Sequence, residues 1–284
     1  VRGAFIIMSN LKVGLQLYSI RDKMEQNMDE ALKNVKAIGY DYVEFAGYFG
    51  KTKDEVKEIL DKYNLKCISV HQGYDVFLKN PEENVEYLKT IGAKYCAIPW
   101  LDISNHKGHE KFEKTVSEIT YVGKLLKDNG IQLLYHNHDF EFNKYDGKYL
   151  IDWLYETIPS DLLKPEFDTC WIKYAGCDPR YYLKKFRNNI DVVHFKDFVC
   201  SNNAHGPVYA LIDNEGKETA KGAGTNNDFK FKPVGEGVQN WLELIKASES
   251  NGAKYVITEQ DQWYNEDSMD CAARARAYLK SLGI

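Results

Sequence analysis

No apolar run in this 284-residue chain approaches the roughly 20 residues that cross a bilayer. The opening VRGAFIIM is too short for a secretory signal, so Met8 is read as the start and residues 1–7 as an upstream extension. Excess positive charge is lacking too: 37 Lys+Arg against 42 Asp+Glu leave −5, with a pI near 5.9. A nucleic-acid or anionic-membrane partner would want the opposite balance, and neither is expected. The six cysteines form no CxxC pair, and several sit inside apolar runs, which fits reduced thiols in a cytoplasmic compartment. Also missing is a GxGxxG phosphate loop after the first apolar run, where GLQLYSIRD stands. That omission weighs against a doubly wound nucleotide-binding sheet.

What is present is a rhythm. A helix end, a glycine, one or two residues and an apolar strand recur in KAIGYDYVEF, KTIGAKYCAI, KDNGIQLLYH and ESNGAKYVIT. Glycine just past a helix accepts the left-handed conformation that satisfies the last carbonyls, and Asn64 serves the same end before LKCISV. Helix starts are marked by a Thr52/Glu55 capping box and by Asn80–Pro81 and Asp178–Pro179. The pattern predicts strands at Lys12–Leu17, Tyr42–Phe45, Lys66–Val70, Tyr95–Ile98, Gln132–His136, Leu163–Phe167, Ile190–Phe195 and Tyr255–Glu259. Helices are expected between them, for example over Met28–Ile38, Val56–Tyr63, Phe112–Lys127, Trp241–Ser250 and Met269–Leu282. Strict alternation calls for parallel strands, because each parallel crossover needs a helix's length of chain. Eight repeats in a chain of this length point to a single (β/α)8 TIM barrel over residues 8–284. One connection is too long. About forty residues follow Lys196, and segment 198–236 is read as an insertion after the seventh strand, with a hairpin about Asn214–Gly216 and the glycine-rich stretch KGAGTNNDF. Such a loop serves as a lid or as a subunit contact in a homo-oligomer.

In a barrel the C-terminal ends of all eight strands converge. Here those ends carry Gln16 and Tyr18, Glu44, His71, Trp100, the LLYHNHDFEF cluster with His136, His138, Asp139 and Glu141, then Asp168, His194 with Lys196, and Glu259. Alone, Asp168 before Thr169 reads as a helix cap and Glu259 as a surface charge. Gathered carboxylates repel one another unless a proton or cation neutralises them, so a divalent metal is expected. Carboxylates with imidazole favour Mn²⁺, Mg²⁺, Co²⁺ or Zn²⁺ over a thiolate-seeking ion.

The blocks GLQLYSIRD, YHNHDFEF, EFDTCWIKYAGCDP, VVHFKD, PVGEGV and VITEQD, in that order, resemble the xylose-isomerase-like barrels grouped as sugar phosphate isomerases/epimerases. The resemblance spans nearly the whole chain. It implies one divalent metal held by two glutamates, an aspartate and a histidine at the ends of strands five to eight. Asp168, His194 and Glu259 match the last three positions. At the first, where many members carry Glu on strand five, this chain has His136; Glu141 would supply the missing carboxylate, or His136 would ligate instead. Members with DxxH after strand six use that histidine on substrate, whereas the residue here is Trp171, which cannot transfer a proton.

The implied chemistry is proton transfer beside a carbonyl of a small keto-sugar or sugar derivative, giving isomerisation or epimerisation. Glu259 is the first candidate base, with His136, His138 or Glu141 as its partner. Lys196 would hold a substrate oxygen, and Tyr18, Glu44, His71, His138 and Trp171 would line the sugar. Loss of a β-substituent would instead make a lyase, dehydratase or deglycosidase acting on a 3-keto-glycoside or related keto-sugar. A non-catalytic sugar-binding protein is the third reading. A DNA-repair nuclease on the same barrel is disfavoured by the acidic charge and only six arginines.

Overall fold

The computed structural model describes residues 9–200 and 228–284. Eight parallel strands make the barrel: β1 Lys12–Gln16, β2 Tyr42–Phe45, β3 Lys66–Val70, β4 Tyr95–Ile98, β5 Gln132–His136, β6 Leu163–Asp168, β7 Val192–Phe195 and β8 Tyr255–Thr258. They pair in the order β3-β2-β1-β8-β7-β6-β5-β4. Closure falls at the β3/β4 seam. There His71 bridges Ala97, Lys94 N–H donates to Ile68 O at 3.0 Å, and Gln72 N–H donates to Ala97 O at 2.9 Å. The expected (β/α)8 barrel is therefore the observed one.

Period-two alternation divides each strand between two cores. Ile68, Tyr95, Ala97, Leu134, Val192, Tyr255 and Ile257 fill the barrel interior. Their neighbours in sequence, such as Val43, Cys67, Cys96, Leu133, Val193 and Val256, face outward and pack with the helices in the larger core. Apolar layers close the bottom of the barrel, and polar side chains occupy the inward positions nearer its C-terminal mouth.

Helix boundaries follow the chemistry read from sequence. Thr52 and Glu55 form a reciprocal capping box, Pro81 and Pro179 open helices, and Gly39, Gly92, Gly130 and Gly252 all take positive φ, as does Asn64. The long connection begins and ends as an antiparallel pair, Asp197–Val199 with Lys230–Lys232. The expected hairpin about Asn214–Gly216, most of KGAGTNNDF and the proposed start at Met8 lie outside the described residues. No described helix is long and apolar enough to cross a membrane.

Asp197 anchors the return of that connection. Its Oδ2 accepts from Gly235 N–H and Gly237 N–H, each at 3.0 Å, and from the Trp241 indole N–H at 2.9 Å, while Oδ1 accepts from Gln239 N–H. Gly237 must be glycine for steric reasons: a Cβ there would stand 2.2 Å from Asp197 Oδ1 and 2.4 Å from Phe198 O.

Candidate metal-binding active site

The strand period delivers the site. On β6, Glu166 and Asp168 are two residues apart and point inward together. The same spacing brings His194 and Lys196 from β7, and Glu259 and Asp261 from the residues after β8. His136 ends β5 and His71 follows β3. Glu44 enters from β2 at a register shift between Val43 and Glu44, where the pairing with β3 skips one residue.

Two overlapping groups of ligand-type atoms result, each with its atoms within 4.8 Å of one another. One is His136, Asp168, His194 and Glu259; the other is His71, His136, Glu166 and His194. His194 Nδ1 lies 3.0 Å from Glu259 Oε2, and its Nε2 lies 2.8 Å from Glu44 Oε1. His136 stands between the carboxylates of β6, with Nδ1 3.4 Å from Glu166 Oε2 and Nε2 3.8 Å from Asp168 Oδ2. His71 Nε2 meets Glu166 Oε2 at 2.8 Å. The Lys196 ammonium is buried 2.9 Å from Glu259, 3.1 Å from Asp261 and 3.4 Å from Asp168.

Burial and mutual charge set the protonation states. Burial pulls the His136 imidazole well below its ordinary range, with His194 and His71 adding to it, so it is neutral and able to ligate. Burial also lowers His71, but Glu44 and Glu166 outweigh it and raise the group to about 10. Burial and then Glu44 push Glu166 up to about 7, and burial lifts Asp261 to about 6 against the pull of Lys196. Glu259 goes the other way: burial raises it, but Lys196 and His194 hold it below the usual carboxylate range.

The expected residues separate into groups. Asp168, His194 and Glu259 stand together with His136. Asp168 does two jobs at once: Oδ1 caps the following helix by accepting from Cys170 and Trp171 N–H, and Oδ2 turns to the cluster. Glu141 stands outside both ligand groups. Its Oε1 accepts from the Tyr135 hydroxyl at 2.5 Å and its Oε2 from His138 N–H at 2.7 Å, so the carboxylate staples the turn after β5. Glu44 has no exposed surface and lies among Gln16, His71 and His194. Trp171 is equally buried, stacked on Phe229 with ring centroids 5.6 Å apart and its face 5.3 Å from the Lys196 ammonium. His138 stacks on Phe140. Burial raises the Tyr18 phenol against Arg21, whose guanidinium lies 4.1 Å from the ring centroid, and Asp261 and Glu259 add to the rise. Trp100 is substantially exposed. Glu166, Asp261 and Asp197 were not singled out from sequence. The first was legible in principle, because Glu166 shares its face with Asp168 two residues later.

The cluster fits a divalent cation. Five buried carboxylates (Glu44, Glu166, Asp168, Glu259 and Asp261) face one lysine and three imidazoles. Glu44 Oε2, Glu166 Oε1, Asp168 Oδ2 and His136 Nδ1 are buried and make no hydrogen bond among the described residues. Buried acceptors without donors are costly, and a cation satisfies several at once. The group His136, Asp168, His194 and Glu259 offers two nitrogens and two carboxylates, a set suited to Mn²⁺, Co²⁺ or Zn²⁺.

Comparison with known proteins bears on this geometry. The chain is 26% identical over 306 residues to an inosose dehydratase of Mesomycoplasma hyopneumoniae, covering 97% of each chain. It is 22% identical over 278 residues to an inosose dehydratase of Clostridium botulinum, covering 90% of each. Its fold superposes on a sugar phosphate isomerase/epimerase of Parabacteroides distasonis with a TM-score of 0.74 and 17% identity, covering 96% of this chain and 95% of that one. These relatives are named as enzymes, and the present chain is an enzyme of the same general kind. The model of the xylose isomerase-like TIM barrel matches residues 32–282, and the chain belongs to that family.

Proposed function

We propose that this protein is a divalent-metal-dependent enzyme that moves a proton at a carbon next to a carbonyl of a keto-sugar or sugar derivative. The observation that carries the reading is the buried group His136, Asp168, His194 and Glu259 with the Lys196 ammonium against it. His136, Asp168, His194 and Glu259 would hold the ion. When bound, it would polarise a carbonyl and a neighbouring hydroxyl and stabilise the negative charge that develops there. Glu259 is held ionised by Lys196 and His194, which lets its carboxylate take the carbon-bound proton. His138, kept neutral by burial, is the proton acceptor on the strand-five side, and His136 would take that part only if it did not ligate. Lys196 donates to the oxygen on which charge builds. Tyr18 and Trp171 wall the sugar, and Asp139 and Glu141 support the strand-five turn.

Return of the proton to the same or the adjacent carbon gives epimerisation or isomerisation. A second reading is favoured by the names of the two curated relatives, both dehydratases. In it the electron pair left by the departing proton expels a β-hydroxyl or glycosyl substituent, forming a carbon–carbon double bond. The proton abstraction is common to both. A small-molecule carbohydrate is the substrate class in each case, and the site would act inside a cytoplasmic enzyme.

The test is metal analysis followed by product analysis. Protein prepared without chelator is expected to carry about one divalent ion per chain, with occupancy lowered in His194→Ala. A keto-sugar panel in D₂O then separates the readings. Deuterium at carbon without loss of water identifies the isomerase or epimerase. An unsaturated product with release of water or an alcohol identifies the lyase. Metal binding without either product overturns the catalytic proposal.

A further inference from the structure

Glu44 was expected on the sugar, but its surroundings assign it a different task. The side chain is fully buried at the register shift between β2 and β3. Its Oε1 accepts from Gln16 Nε2 at 2.7 Å and meets His194 Nε2 at 2.8 Å and His71 Nε2 at 3.0 Å. The orientation of the Gln16 amide is not free. Its Oε1 accepts from Tyr18 N–H at 3.0 Å, which turns the NH₂ group toward Glu44. A chain of fixed direction therefore runs from the backbone after β1, through Gln16 and Glu44, to the underside of His194. His71 Nε2 lies between Glu166 at 2.8 Å and Glu44 at 3.0 Å, so Glu44 Oε1 is held from the His71 side as well.

We propose that Glu44, oriented by Gln16, is a positioning residue that anchors the His194 ring through Nε2 and so aims Nδ1 at the Asp168–Glu259 side of the cluster. An imidazole that ligates an ion through Nδ1 gives up the proton there and keeps the one on Nε2. A carboxylate acceptor at Nε2 suits that form and restrains the ring. Nδ1 faces Glu259 Oε2 at 3.0 Å, on the side where the four candidate ligands gather. Carboxylate partners of this kind raise the basicity of a ligating imidazole and restrict its rotation. Glu44 then never touches substrate. The proposal rests on the reading above that a divalent ion binds through His194.

The experiment uses the full chain with Mn²⁺ alone and no sugar. Titration of metal-stripped protein gives the dissociation constant, and ¹⁵N-histidine spectra, assigned with His194→Ala, report the hydrogen bond at His194 Nε2. Glu44→Ala is expected to weaken Mn²⁺ binding about 10- to 100-fold and to shift the His194 Nε2 resonance. Glu44→Gln, whose amide oxygen still accepts, is expected to lose less. Should Glu44→Ala fail to fold, Gln16→Leu decides: it removes the amide that aims the carboxylate, and the same two changes should appear in weaker form. Parent affinity and an unchanged His194 spectrum in the folded variant overturn the proposal. So does a raised KM with Mn²⁺ affinity intact, which would return Glu44 to the substrate. Failure of the parent itself to bind Mn²⁺ sinks the underlying metal reading instead, and the two failures are distinguishable.

Discussion

The Lys196 ammonium lies 2.9 Å from the Glu259 carboxylate, and both groups are buried at the C-terminal ends of adjacent strands β7 and β8. The same ammonium also serves Asp261 and Asp168. Removing it leaves three buried carboxylates facing one another. Breaking a buried pair from one side costs about 3–5 kcal/mol, because the remaining charge is stranded. Lys196→Met is therefore expected to unfold more readily than the parent in metal-free buffer, by an amount in that range. Saturating Mn²⁺ should restore part of the loss, since a ligand that binds only the folded state adds stability by mass action. Urea unfolding with and without Mn²⁺ measures both. A Lys196→Met protein as stable as the parent without metal would mean that the carboxylates are already protonated.

Asp197 supports a prediction about stability alone. Its Oδ2 receives three N–H groups, from Gly235, Gly237 and Trp241. Asp197→Asn keeps the shape but puts an NH₂ against donors on one side or the other. Hydrogen bonds to a charged acceptor contribute about 1.5–3 kcal/mol each, so a loss of about 3 kcal/mol is expected in chemical denaturation. Gly237→Ala should cost a similar amount, by forcing a methyl group into the Asp197 carboxylate.

Glu141 gives a pH signature. Burial pushes its carboxyl up to about 8 from an ordinary 4.5, against the hydrogen bonds from Tyr135 and His138. A folded-state value above the unfolded one means that the folded protein binds the proton more tightly. The contribution is fully present below about pH 4.5 and is lost progressively as pH rises through about 8. Glu141→Gln, permanently neutral, should remove that part of the decline. Unfolding free energies of parent and variant between pH 5 and about pH 9 are expected to diverge in slope, the variant being flatter. Parallel profiles would show that Glu141 titrates normally.

The barrel was legible because each level of the sequence agrees with the next. The helix–glycine–strand phrase located β2, β4, β5 and β8, and β2 through β5 run over the expected residues. The remaining strand ends differ by a residue or two, as at Leu163–Asp168, where Asp168 completes the strand and caps the helix with one oxygen. The mouth-facing residues Asp168, His194 and Glu259 were readable because each ends an apolar run. Glu166 was passed over as part of the strand itself, although the two-residue period gives it the same face as Asp168. Glu44 was placed at the mouth, but its contact with His194 could not be read, because the pairing with β3 shifts by one residue and no local sequence pattern announces it. Nor could the burial of Glu141. A carboxylate five residues past a histidine looks free until the turn at Phe140–Phe142 folds it back onto Tyr135.

Glu259 carries the most direct test of mechanism. It follows Thr258, the last residue of β8, and its carboxylate meets both His194 Nδ1 and the Lys196 ammonium. Those two neighbours keep it ionised, although burial opposes them. An ionised carboxylate beside a bound sugar can accept a proton from carbon and soon return it, and such general-base assistance contributes about 10²- to 10⁴-fold in rate. Glu259→Gln preserves the side-chain shape and one oxygen toward the cluster, but it has no basic site. The variant is expected still to bind Mn²⁺ and a keto-sugar, while exchange of the carbon-bound hydrogen with D₂O falls by about 10²-fold or more. Isothermal titration measures the first, and deuterium incorporation followed by NMR measures the second. If exchange proceeds at the parent rate, Glu259 acts only as a ligand. The proton would then pass to a neutral imidazole of strand five, and His138→Ala would lose exchange, with Mn²⁺ still bound, where Glu259→Gln does not.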